Sequence, residues 1–172
     1  MTSVLPPRYV LDTSLFTQAK RSYYAFDIAR SFWQHLVKSA NQGIITSIDK
    51  VYDEIERGKD DLYVWVQQNL PLQFFRDTDN SSDVLKNYQQ LRIGWTSSNA
   101  QFLNNAKAEF AQYDEADAWI VAFALSNRLT VVSQEIFNAN IKRKILIPNV
   151  CYEFNVRHID TFTFLRECSF SM

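Results

Sequence analysis

Histidine and cysteine are scarce in this chain, with two of each in 172 residues. Cys151 and Cys168 are too widely spaced for a zinc knuckle or a redox pair, and His35 and His158 are far apart as well, which excludes the usual zinc and thiol chemistries. Both cysteines are expected to be reduced core residues. No apolar run approaches the roughly 20 residues that a membrane helix requires. The opening MTSVLPPRYV lacks the apolar core of a secretory signal. A cytoplasmic protein without membrane contact is therefore expected. Charge of one sign is also missing: 18 Lys and Arg stand against 19 Asp and Glu, for a net charge of -1. Without a strong overall field, any polyanionic partner must be met by a local basic patch.

What the chain does have is apolar and aromatic material, 47% and 15% of its residues. That is enough to bury a substantial core. One domain spanning 1–172 is expected, with a helical section at about 82–113. No internal repeat is visible.

RYVLDTSLF is a short apolar run ending in Asp12 and followed by helix-capping residues, the pattern of a buried strand and its turn. From Phe26 to Ala40 the apolar positions follow the helical period, and GIITS supplies a second strand. Ser47 can cap the next helix, IDKVYDEIERG, whose inward stripe is Val51 and Ile55. Glu54 lies beside that stripe and Asp53 points elsewhere, so Glu54 is the candidate acid. DLYVWVQQNL reads as a helix broken by Pro71, and LQFF as a third strand. The segment from Ser82 to Tyr113 predicts two helices interrupted near Gly94 and the Ser97–Asn99 turn. Asp114 can cap the apolar helix that ends near Asn127. LTVVS is a fourth strand, KILIP a fifth, and DTFTFLREC a last helix.

Strands alternating with helices imply a mostly parallel sheet covered on both faces. Ligands bind such sheets at the carboxyl ends of the strands. Asp12 and Glu135 are predicted at two of those ends, and Asp117 and Glu54 on helices that can face the same edge. Each acid has a plain alternative: a helix cap for Asp12, a solvated charge for Glu54, a capping box for Asp117 and a first-turn acid for Glu135. Capping alone does not account for four acids so arranged. Clustered carboxylates repel, and a divalent cation relieves that repulsion. Mg²⁺ or Mn²⁺ suits oxygen donors and needs no His or Cys.

YVLDTSLF, ITSIDKVYDEI, DEADAWIVAFA and LTVVSQE, in that order, resemble the motifs of PIN domains, named after the N-terminal domain of the pilus protein PilT. The added IPNVCYEF is similar to a bacterial PIN-like family of uncharacterised function. The resemblance covers nearly the whole chain. It implies an α/β fold, a three-layer α/β/α sandwich on a parallel sheet, with a metal-dependent ribonuclease site as in the toxins of bacterial toxin–antitoxin pairs. It also implies RNA as substrate and a cognate antitoxin as partner. On that likeness Asp12, Glu54, Asp117 and Glu135 are the catalytic and metal-binding acids, with Glu135 standing where many members carry Asp. Ser133 and Thr13 are assigned to substrate positioning. The alternative is a catalytically inactive PIN-like module that binds RNA or protein.

RNA needs cationic contacts, and the densest basic run is Lys142, Arg143 and Lys144, with Arg8, Lys20 and Arg21 as further candidates. Tyr23, Tyr24 and Trp95 are candidates for base stacking, against a packing role. The aromatics of the Ser82–Tyr113 section suggest a protein partner, a second copy of the chain among the candidates. Two other enzyme classes fit poorly. LDTSL resembles the nucleophile motif of haloacid-dehalogenase-like phosphatases, but Ser14 stands where their general acid is needed. A receiver-like site lacks its paired acids and late lysine.

Overall fold

The computed structural model describes residues 7–171, Tyr23 by its backbone alone. The opening segment Met1–Pro6 and the Tyr23 ring therefore lie outside the described residues. Five strands form one parallel sheet in the order β3-β2-β1-β4-β5. They are β1 (Tyr9–Leu11), β2 (Ile45–Ile48), β3 (Phe75–Arg76), β4 (Thr130–Val132) and β5 (His158–Ile159). β1 is central and wholly buried, paired through Tyr9 with Ile45 of β2 on one side and Thr130 of β4 on the other. The chain builds outward from β1 to β3, then returns to β1's other side with β4. β1 and β4 thus flank the switch point, the place where open parallel sheets leave a crevice.

Helix α1 (Thr13–Gln18) follows β1 directly and runs into a π turn at Ala19–Tyr23. After it come α2 (Arg30–Asn41), α3 (Asp49–Gly58) and α4 (Asp61–Asn69). Helix α5 (Ser82–Gln89) continues through a π segment, Gln90–Trp95, into α6 (Thr96–Ser98), and α7 (Asn104–Phe110) follows. Helix α8 (Ala116–Asn127) is buried from Ala118 to Ala124 on every side, so it is an inner helix rather than a surface one. Tyr88 of α5 stacks on Trp119 of α8 with ring centroids 3.6 Å apart. The final helices are α9 (Ile147–Glu153) and α10 (Thr161–Glu167), the latter capped by Asp160, which accepts from the Thr163 amide at 2.7 Å. The architecture is the α/β sandwich on a parallel sheet that the alternation of elements implies. Among the described residues no helix is long and apolar enough to cross a membrane.

Several local expectations are corrected. KILIP is not a strand: Leu146 is an N-cap and Pro148 sits in the first turn of α9, where its missing N–H is harmless. The fifth strand is instead the two-residue His158–Ile159. Ser47 caps nothing; its hydroxyl donates to the Leu11 carbonyl at 2.6 Å, tying β2 to β1. Gly94 does not interrupt a helix but lies inside the π segment, while the break after Ser98 falls within the expected Ser97–Asn99 turn. The third strand shrinks to Phe75–Arg76, because Leu72–Phe74 form a 3₁₀ turn after Pro71. The aromatics of the 82–113 section are mostly internal: Tyr88, Phe102 and Phe110 are buried, and Trp95 packs edge-on against Phe102, Phe110 and Phe154. They give no reason for a protein partner. Cys151 is buried, Cys168 is half-buried, and both are free.

Candidate functional site

The backbone past β1 turns straight into α1, and this leaves Asp12 at the carboxyl edge of the sheet between β1 and β4, its amide bonded to the Val132 carbonyl at 3.0 Å. Asp12 both caps α1 and lines a cleft. Its carboxylate accepts from the Ser14 amide at 3.1 Å and from the Ser14 hydroxyl, yet it also faces a cleft of about 410 Å³. The same cleft is lined by Glu54 from α3, Asp117 from the first turn of α8 and Glu135 just after β4. Asp53 is exposed and outside it. Four acids remote in sequence thus share one crevice at the carboxyl edge.

Each is held differently. Ser14, which sequence analysis did not single out for the site, links the two strand ends, since its hydroxyl also accepts from the Gln134 amide at 3.0 Å. Glu54 accepts from the Thr13 hydroxyl with one oxygen and from the Ala116 amide, at 3.0 Å, with the other. It therefore caps α8 from another helix, a favourable place for negative charge at a helix N-terminus. Asp114 does not cap α8; it pairs with Arg57 at 3.3 Å. Glu135 is bonded to Lys144 at 2.8 Å and to the Ile147 amide at 2.7 Å, so it closes the start of α9. Asp117 differs from all three. Among the described residues nothing donates a hydrogen bond to it, so it serves as neither cap nor capping-box partner.

Electrostatics follow from this inventory. Six carboxylates line the cleft, Glu109 and Glu115 included, against two cations, Arg57 and Lys144. Burial pushes Asp12 up to about 6, with Glu54 and Glu135 adding to it and the Ser14 bonds opposing. Burial raises Asp117 well above the carboxylate range, helped by Asp12 and Glu135 and opposed by Lys144. Burial and Glu54 raise Glu115. Burial works against charge on Lys144, but Glu135, Asp117 and Glu109 together outweigh it and raise its pKa.

The remaining candidates scatter. Thr13 lines the cleft, but Ser133 is fully buried, with its hydroxyl 2.7 Å from His158 Nε2 and accepting from the Glu135 amide at 3.3 Å. It shapes the turn that carries Glu135. Lys144 reaches the cleft, while Lys142 and Arg143 are exposed beside it in sequence and outside its lining. Arg8 precedes β1 and so sits at the amino edge, away from the cleft. Lys20 is neutralised by Asp60, at 2.6 Å, and Asp61. Arg21 is exposed and is not part of the cleft lining. Tyr24 is buried and stacked on Phe32. Lys144 was a candidate as part of the basic run, whereas Arg57, Glu109 and Glu115, which also line the cleft, were not singled out because each belongs to a locally ordinary charged run.

A second acidic group stands near the same edge: Asp49, Asp77 and Asp79 bring carboxylate oxygens within 4.8 Å of one another. It already has a cation. The Lys50 ammonium lies 3.1 Å from Asp79 and 3.5 Å from Asp49, over the rings of Tyr113 and Trp119. Among the described residues this is the only trio drawn so close, so the four cleft acids stand further apart. Their separation has a physical cause: Thr13 and Ala116 hold Glu54, Lys144 and Ile147 hold Glu135, and like charges repel.

Glu54 offers a test of this framework. Glu54→Ala leaves the Ala116 amide and the Thr13 hydroxyl without their acceptor. Thermal or urea unfolding should show a loss of about 1–2 kcal/mol. A change below about 0.3 kcal/mol would mean that water replaces the carboxylate at both donors.

The sandwich with acids gathered at the carboxyl edge of β1 and β4 is a PIN-like fold. Its sequence belongs to the family described as Domain of unknown function (DUF4411), which matches residues 9–172. No curated protein matches the sequence. The fold is shared with a chain in the crystal structure of VapBC2 from Rickettsia felis bound to a DNA fragment from their promoter. The two are 18% identical with a TM-score of 0.51, over 88% of this chain and 97% of that one. At that identity the likeness concerns the fold.

Proposed function

We propose that the chain is an Mg²⁺- or Mn²⁺-dependent endoribonuclease, acting in the cytoplasm as the toxin of a bacterial toxin–antitoxin pair. The observation that carries this reading is the Asp12–Asp117 pair in one cleft: two carboxylates whose pKa values are both raised, Asp12 by burial, Glu54 and Glu135, and Asp117 by burial, Asp12 and Glu135, the second with no bonded donor among the described residues. A half-buried carboxylate among like charges is relieved when a cation joins it. The donor set fits a hard divalent ion, since it consists of carboxylate and hydroxyl oxygens with neither His nor Cys.

Asp12 and Asp117 would hold the ion directly. Bound there, it supplies an acidified water and stabilises charge on the phosphate and leaving oxygens. Glu54 and Glu135, each already tied at both oxygens, orient water and keep the ends of α8 and α9 fixed around the cleft. Lys144 places a cation where a phosphate can approach an otherwise anionic cleft. No protein nucleophile is needed. Support for the toxin role is the fold shared with a chain of VapBC2 and the likeness of the motifs to PIN-domain toxins. A cognate antitoxin is the proposed protein partner.

A catalytically inactive binding module is the second reading, favoured by the spacing of the four acids and by the saturation of Glu54 and Glu135. Calorimetric titration with Mn²⁺ beside a labelled single-stranded RNA assay decides. The nuclease reading expects Mn²⁺ binding, cleavage abolished by EDTA, and loss of both in Asp12→Asn. RNA binding without cleavage at any Mn²⁺ concentration would favour the module, and cleavage surviving EDTA would remove the metal.

A further inference from the structure

The cleft with its six acids repels a polyanion everywhere except at Arg57, Lys144 and any bound cation, so a nucleic acid must be held chiefly outside it. The segment leading out of the cleft shows where. Two residues after Glu135, Phe137 enters a second concavity of about 370 Å³, which also takes in Trp95, Phe102, Ala139, Asn149 and Tyr152. Phe137 and Tyr152 are 46% and 74% exposed, with ring centroids 5.3 Å apart and planes tilted by 52°. Two large aromatic rings standing together in water carry an unmet hydrophobic cost. The lip of this groove is held by bonds to its backbone: the Gln101 side-chain amide donates to the Ala139 and Ile141 carbonyls at 3.0 and 2.9 Å, and the Leu103 backbone amide to the Lys142 carbonyl at 2.9 Å. That lip continues into Lys142 and Arg143, both exposed and, among the described residues, in no ion pair, and then into Lys144 of the cleft.

We infer that this groove is a stacking subsite for unpaired bases of single-stranded RNA. Phe137 and Tyr152 take the base faces, and Lys142 and Arg143 the phosphates, on the stretch of strand that leaves the cleft. The inference rests on the nuclease reading for the direction of the strand. Three observations select this occupant: the chain leaves the cleft at Glu135, lines the groove at Phe137 and Ala139 and returns to the cleft at Lys144; Lys142 and Arg143 on that segment have no ion-pair partner among the described residues; and the polar side chains of Gln101 and Asn149 line the groove with the exposed rings. Base–aromatic stacking tolerates any sequence because every base offers a π face. Glu153, which also lines the groove, keeps phosphates to the basic lip.

The test measures binding of a short fluorescein-labelled single-stranded RNA in EDTA by anisotropy, against a strand of the same length with abasic sites. Wild type should prefer the RNA to the abasic strand. Phe137→Ala/Tyr152→Ala should lose about 5- to 150-fold in RNA affinity for each base unstacked. It should bind the abasic strand as wild type does, so the preference disappears. Tyr152→Phe should keep it. Both side chains are exposed, and an unchanged thermal melt would show that the variants fold. The inference is overturned if wild type binds neither strand or shows no preference for bases. It is also overturned if the double variant keeps that preference, or if it changes only self-association or protein binding. Because no metal is present, this result is separate from the nuclease reading, which fails only if Mn²⁺ brings no cleavage.

Discussion

Asp117→Asn is expected to lower metal-dependent RNA cleavage by about a hundredfold or more, since a direct ligand should matter at least as much as the outer-shell groups whose loss costs 10–100-fold. Without metal the same variant should hold its stability or gain about 1 kcal/mol, because one charge leaves a repulsive group. The two effects have opposite signs for one reason. Among the described residues nothing donates to Asp117, so in the free protein its charge meets burial and the neighbouring acids, opposed by Lys144. Saturating Mg²⁺ should stabilise wild type by a few kcal/mol, about 2.7 at a hundredfold excess over Kd. The Asn variant should show little of that shift. Thermal melts with and without Mg²⁺, run on wild type, Asp117→Asn and Asp117→Ala, measure all of this. Full cleavage by the Asn variant would remove Asp117 from the ligand set.

Lowering the pH from about 7 to about 4 should stabilise the metal-free protein. Asp12 titrates near 3.8 unfolded and about 6 folded. Above both values the acid is charged in both states and folding bears the full cost of burying that charge. As pH falls through 6 the folded state takes up a proton that the unfolded state does not, and the cost is relieved by the time 3.8 is passed. Two pKa units correspond to about 3 kcal/mol as an upper figure for this buried group. Asp117 is raised too and acts in the same direction. The opposite sign belongs to His35 and His158, whose pKa burial lowers so that they cost stability as pH falls below about 6.5, and to Glu167, which Arg157 and Tyr9 hold down at about 2 and which loses its stabilisation as pH falls from about 4.5. Urea denaturation in EDTA across this range should therefore show stability rising toward pH 4 or 5. With saturating Mg²⁺ the trend should reverse, because protons compete with the ion for Asp12. A flat metal-free profile would mean that Asp12 is solvated and is no centre of repulsion.

Much of the fold is determined by local pattern. YVL is apolar at every position and too short for a helix, so it forms a buried strand, and the capping residues after it fix Asp12 at its end. The apolar run from Ala118 to Ala124 is buried on all sides, as its composition demands. The choice of Glu54 over Asp53 follows from helical geometry alone. Other features needed the third dimension. Ile-Leu-Ile between lysine and proline looks like a strand, and only the packing of α9 and its Pro148 start decided otherwise. His158–Ile159 became the fifth strand through pairing with Val131 and Val132, since two residues carry no period of their own. Ser47, free to cap α3 by sequence, is drawn to the Leu11 carbonyl across the sheet. The site divides in the same way. The sequence determines which acids stand at strand ends and beside inward helix faces. Tertiary structure decides which are charge-compensated: Lys144 reaches Glu135 across a loop, and the Ala116 amide of α8 reaches Glu54 of α3 across 62 residues. Asp117 is left alone among them, because hydrogen-bond partners come from space and not from spacing along the chain.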